Sequence, residues 1–138
     1  MELDIIEIRA YNYFEYNHQV KQLKEADLAN IAALLPDLKP IPIIPVRLSR
    51  LNFALVSTSE RRIYQRFANN IYFNFHRIKG DKLLLVINEE IKLPHVIFIH
   101  QIQNCYYDLT GDVLAIPCQG YAPKTSNLAK RGKNILAK

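Results

Sequence analysis

The sequence predicts a single α+β domain, and three observations carry that reading. Apolar residues alternate over several short stretches in the second half of the chain, which marks half-buried strands. From about His18 the apolar residues recur at spacings near three to five instead, which marks an amphipathic helix. The strand-like stretches then follow one another directly, and segregated strands and helices indicate α+β rather than a parallel α/β sheet. A chain of 138 residues fits one domain. At that size roughly two thirds of the unfolded surface is buried, enough for a core without disulfides or a structural metal.

Taken in order, residues 3–13 are rich in Ile and Tyr and predict a strand. Val20, Leu23, Leu28, Ile31, Leu34 and Leu35 predict one longer N-terminal helix, which Asp27 can divide in two by capping a second turn and which Pro36 ends. Pro36, Pro40, Pro42 and Pro45 predict a stiff extended connector, with Ile41, Ile43 and Ile44 packed on the core. Residues 46–56 alternate as a strand whose phase slips near Arg50 and Leu51. Ser57 and Glu60 have the spacing of a capping box and predict a short Arg-rich helix to about Phe67, with Ile63, Tyr64 and Phe67 inward. The remainder predicts an antiparallel meander: strands at 71–78 and 83–87 joined at Gly80-Asp81, a turn at Asn88-Glu89-Glu90, a strand at 96–102, and a pair at 105–109 and 113–116 around Gly111. The domain is expected to span residues 1–123, followed by a basic tail, 124–138, mobile in isolation.

Charge is uneven. Residues 40–79 hold seven basic and one acidic side chain, and residues 120–138 hold five basic and none acidic. Residues 1–39 and 80–119 are each net acidic. The two basic blocks point to an anionic partner. The N-terminus lacks the basic, then apolar, pattern of a secretory signal, and no apolar run approaches the ~20 residues of a bilayer span. The expected location is cytoplasmic, with Cys105 and Cys118 as reduced thiols.

The chemistry-bearing residues are sparse. His18, His76, His95 and His100 lack metal-ligand spacing, His95 and His100 are expected to flank a buried strand, and neither cysteine has a base beside it in sequence. The four glycines build no phosphate-cradling loop. No cofactor is expected. Asp81 followed by Glu90, Ile91 and Lys92 imitates the order of a metal-dependent nuclease, although both carboxylates fall in expected turns. The strongest constellation is basic and aromatic. Arg47, Arg50, Arg61, Arg62, Arg66 and Arg77 lie among Tyr64, Phe67, Tyr72, Phe73 and Phe75, and Lys124, Lys130, Arg131 and Lys133 stand in the tail. Arginine forks bind phosphates and exposed rings stack unpaired bases. The expected function is therefore a non-catalytic accessory protein that binds nucleic acid or a nucleoprotein assembly. The alternatives are a protein–protein adaptor or complex subunit that meets an acidic surface, and a small metal-dependent nuclease.

Overall fold

A computed structural model of the chain describes residues 7–57 and 62–117. It contains two antiparallel sheets and four short helices, which confirms the α+β class. The start of the expected first strand, Ser59, Glu60 and Arg61, Cys118, and the tail lie outside the described residues.

The N-terminal third departs most from expectation. Residues 7–12 are not a strand; β1 (Tyr13–Tyr16) turns through Asn17 and His18 into β2 (Gln19–Gln22), and β3 (Leu38–Lys39) pairs on the other side of β1. Asn17 and His18 both have positive φ, 52° and 66°, as a two-residue type I′ turn requires. The turn occupies the place where the longer helix was expected to begin. What remains of that helix is two single turns, α1 (Glu25–Leu28) and α2 (Ile31–Leu34), then a 3₁₀ turn at Leu35–Asp37. Asp27 accepts a hydrogen bond from the Lys24 N–H at 2.8 Å, so it works within the first turn rather than capping the second. Ile8, Phe14, Leu23 and Leu38 form a small core under this sheet.

Two local expectations exchange identities in the middle of the chain. The strand expected at 46–56 begins as a helix, α3 (Pro45–Arg50), because Pro45 fits the first helical position and Leu48 and Leu51 both point to the core. The phase slip is the end of that helix; Asn52 adopts φ 65° and β4 (Ala54–Ser57) follows. The expected Arg-rich helix is a strand, β5 (Arg62–Ala68), in which Tyr64 faces inward and Phe67 outward. Ala68 and Ile71 close a second two-residue hairpin through Asn69 and Asn70, φ 51° and 63°, which tolerate the left-handed region better than most residues.

The meander then runs as expected through β6 (Ile71–Ile78) and β7 (Lys82–Ile87). Their loop has positive φ at both Gly80 and Asp81, so it is a three-residue connection and not the type II′ turn that glycine alone suggested. After Asn88-Glu89-Glu90 comes β8 (Ile91–Leu93), and the order of the sheet is β4-β5-β6-β7-β8. The strands expected at 96–102 and 105–109 are instead one helix, α4 (Ile99–Thr110). Its buried residues, Ile99, Ile102, Gln103 and Tyr106, have the 3–4 spacing of one helical face. Gln101 Oε1 accepts the Ile97 and Phe98 N–H groups at its start. Gly111, φ 81°, ends it as the left-handed cap, with its N–H donated to Tyr107. Residues 113–116, expected as a strand, belong to neither sheet.

The main core lies between α3, α4 and one face of the five-stranded sheet. Leu48, Leu51, Ile99, Ile102 and Tyr106 meet Tyr64, Phe73, Phe75, Leu85 and Ile87 there. Burying a residue such as Phe73 or Phe75 contributes about 1.5–3 kcal/mol. The proline-rich connector crosses beside this core, with Ile41 buried and Ile43 packed on it as expected, but it starts as the 3₁₀ turn at Leu35–Asp37 and Ile44, expected on the core, is exposed; Ile43 and Ile99 donate N–H groups to Ile97 and Ile41. The helices cover one face of the sheet; on the other, Phe67 and Tyr72 are exposed at one end, while Asn74 and Val86 at its centre are buried.

Candidate binding surface

The basic block does not assemble as one patch. Arg66, expected on a solvent face, is half-buried, and its guanidinium lies 5.2 Å over the Tyr106 ring. It donates to Tyr106 Oη at 3.1 Å and to the Leu51 carbonyl at 3.0 Å, so it fastens β5 to α4 and the end of α3. Arg77 is exposed, but Asp81 accepts its Nε at 3.0 Å and its Nη2, and that hydrogen bond raises the Arg77 pKa. Arg47 donates to the Pro42 carbonyl at 2.9 Å. Arg50 and Arg62 are exposed and have no acidic partner among the described residues. Arg61, Lys124, Lys130, Arg131 and Lys133 lie outside those residues. The described residues hold twelve basic and ten acidic side chains, so the folded body is close to neutral.

The aromatic half of the constellation divides by strand alternation. Tyr64, Phe73 and Phe75 are core. Phe67 and Tyr72 sit directly opposite each other on β5 and β6 and face outward, 52% and 44% exposed. Their ring centroids are 4.4 Å apart, tilted by 42°. In sequence Phe67 was assigned to a buried helix face; period two rather than period 3.6 puts it on the surface.

Around the two rings the open face carries mixed chemistry. The register places Gln65 against Asn74, Asn74 against Val86, and Val86 against Lys92, in one row across the sheet. Ile63, His76 and Leu84 form the next row. Glu89, in the β7–β8 turn, reaches over both rows: it accepts a hydrogen bond from Asn74 Nδ2 and lies 3.1 Å from His76 Nε2. Asn74 is 2% exposed, and its Oδ1 has no partner. The arrangement offers two exposed rings, the Gln65 amide in the adjoining row and the Lys92 ammonium at the far end of that row. It supplies no nucleophile with a base, and among the described residues no group of three His, Cys, Asp or Glu converges as a metal site.

The remaining candidates come apart in the structure. Asp81 precedes β7 and Glu90 follows it, so the six residues of that strand, roughly 20 Å, hold the nuclease-like carboxylates apart. His95 is exposed, whereas His100 is buried on α4 rather than flanking a strand. Cys105 borders a hollow of about 460 Å³ between α4 and the β8 end of the sheet. Burial raises the pKa of its thiol, which disfavours the thiolate that nucleophilic chemistry needs. Arg9 and Asp108 close the rim of that hollow with a 2.7 Å ion pair, which lowers the Asp108 pKa. No helix among the described residues is long and apolar enough to cross a membrane. Comparison of the chain with protein-family models, with curated proteins and with solved structures finds no match in any of the three.

Proposed function

We propose that the protein is a non-catalytic accessory protein that binds single-stranded nucleic acid, alone or within a nucleoprotein assembly, through the open face of its five-stranded sheet. The observation that carries this reading is the exposed Phe67–Tyr72 pair on that face. Base–aromatic stacking contributes about 1–3 kcal/mol per base. Gln65 in the adjoining row and Lys92 at the far end of that row suit hydrogen bonds to base edges or phosphates. A duplex hides the faces of its bases, so the preference is for single strands. The basic residues 124, 130, 131 and 133 add charge that attracts phosphates from any sequence.

Titration of labelled single-stranded and duplex oligonucleotides at several salt concentrations tests the proposal. Single strands are expected to bind more tightly, with an affinity that falls as salt rises. Phe67→Ala combined with Tyr72→Ala is expected to weaken binding tenfold or more without lowering the unfolding midpoint. Equal affinity for duplex, or no effect of the double substitution, contradicts the reading.

A protein–protein adaptor is the second reading, and the near-neutral body with exposed apolar side chains on the sheet favours it. It predicts no oligonucleotide binding at physiological salt, and capture of a protein partner that the same double substitution releases.

A further inference from the structure

The two edges of the five-stranded sheet are built differently. The β8 edge carries Lys92 within the strand and Pro94 just after it, both common devices against strand-to-strand association. The β4 edge has no such guard. Its sequence is Ala54, Leu55, Val56, Ser57, and no described strand pairs with its outer side. Leu55 projects on the same side as Tyr64 and Val56 on the same side as Ile63, so the strand shows apolar side chains on both faces, 51% and 41% exposed.

From this edge we infer that the chain forms a two-fold dimer by antiparallel pairing of β4 with β4 of a second copy. The occupant is argued from charge. Antiparallel self-pairing sets a strand against its own sequence, so any charged residue near the axis meets its own kind, which is destabilising. Residues 51–59 contain no charged side chain, and self-pairing therefore carries no such penalty. An edge selected for a charged peptide would instead be expected to carry a complementary charge. Pairing satisfies the outward backbone N–H and C=O groups of β4 and lets Leu55 and Val56 pack against the second copy.

The geometry has a consequence for the surface. Two antiparallel neighbours in one sheet are related by an axis perpendicular to it, so both open faces look the same way. The dimer presents one ten-stranded sheet with two Phe67–Tyr72 pairs on a common side. A four-residue ladder is short, so the association is weak and concentration-dependent.

Sedimentation analysis of the full chain over a range of concentrations tests this. The expected result is a rise from 16.0 kDa toward twice that mass. Leu55→Lys and Val56→Lys place like charges across the axis and are expected to hold the protein at monomer mass. Hydrogen exchange on the unaltered chain gives a second readout: alternate β4 amides become protected as concentration rises. A monomer at every concentration, dimers that persist in both lysine variants while folded, or β4 exchange independent of concentration overturns the inference. None of these outcomes depends on nucleic acid, so the dimer and the binding proposal fail separately.

Discussion

Single side chains do much of the fastening in this fold, and Gln103 does most. It is buried on α4 and uses both ends of its amide. Its Oε1 accepts the Tyr13 N–H at 2.8 Å, while its Nε2 donates to the Tyr11 carbonyl at 3.0 Å and the Leu114 carbonyl at 2.8 Å. One side chain thus ties α4 to β1 and to the segment after the helix. Gln103→Leu removes all three hydrogen bonds, including those to the Tyr13 N–H and the Leu114 carbonyl, and is expected to cost about 3 kcal/mol, measured as a lowered urea midpoint. His100 is the titratable counterpart. It is 1% exposed between the Phe14 and Phe98 rings, its Nδ1 has no partner, and it stands in the first turn of α4, where the helix dipole disfavours a cation. Burial lowers its pKa, and the Glu7 carboxylate, 3.4 Å from Nε2, opposes this only in part. The unfolded state therefore takes up the proton first as pH falls below about 6.5. Stability is full above that value and is lost as pH falls through the lower, folded pKa. The wild type is expected to lose more stability between pH 7.5 and 5.5 than His100→Leu; equal losses would count against the assignment.

Among the elements, a strand is legible in the sequence where it is both long and two-sided, as in β6 and β7. It is not legible where short apolar runs fit two periods. Residues 62–68 do not alternate, since Ile63-Tyr64 and Phe67-Ala68 come as apolar pairs that also fit a helix behind Ser57 and Glu60; the signal for a strand is the Asn69-Asn70 turn that follows. Asn17-His18 is the same signal at the first hairpin. In residues 99–106 the helical spacing was present, but the β-branched residues at 96, 97 and 99 outweighed it. The turn seen at Gly111 is real, although it ends a helix rather than joining strands. Gly111→Ala places a Cβ at φ 81° and is expected to cost about 1 kcal/mol in a thermal or urea melt. Gly80→Val, also at positive φ, is expected to lower the midpoint by a similar or larger amount.

For the whole molecule, the basic–aromatic constellation was legible as a list of residues but not as a surface. Sequence proximity grouped six arginines; the fold turns Arg66 inward onto Tyr106 and closes Arg77 on Asp81. The same alternation that buries Tyr64, Phe73 and Phe75 exposes Phe67 and Tyr72, and only the β5–β6 register brings those two rings side by side. The proposed nucleic-acid site is the exposed Phe67–Tyr72 end of this face. Backbone amide shifts in an isotope-labelled sample, followed during titration with a short single-stranded oligonucleotide, test it most directly. The account predicts that the largest saturable changes fall on residues 65–67, 72–76 and 92, with little change along α3. Changes confined to Arg47, Arg50 or the residues beyond 117, with Phe67 and Tyr72 unmoved, would contradict it.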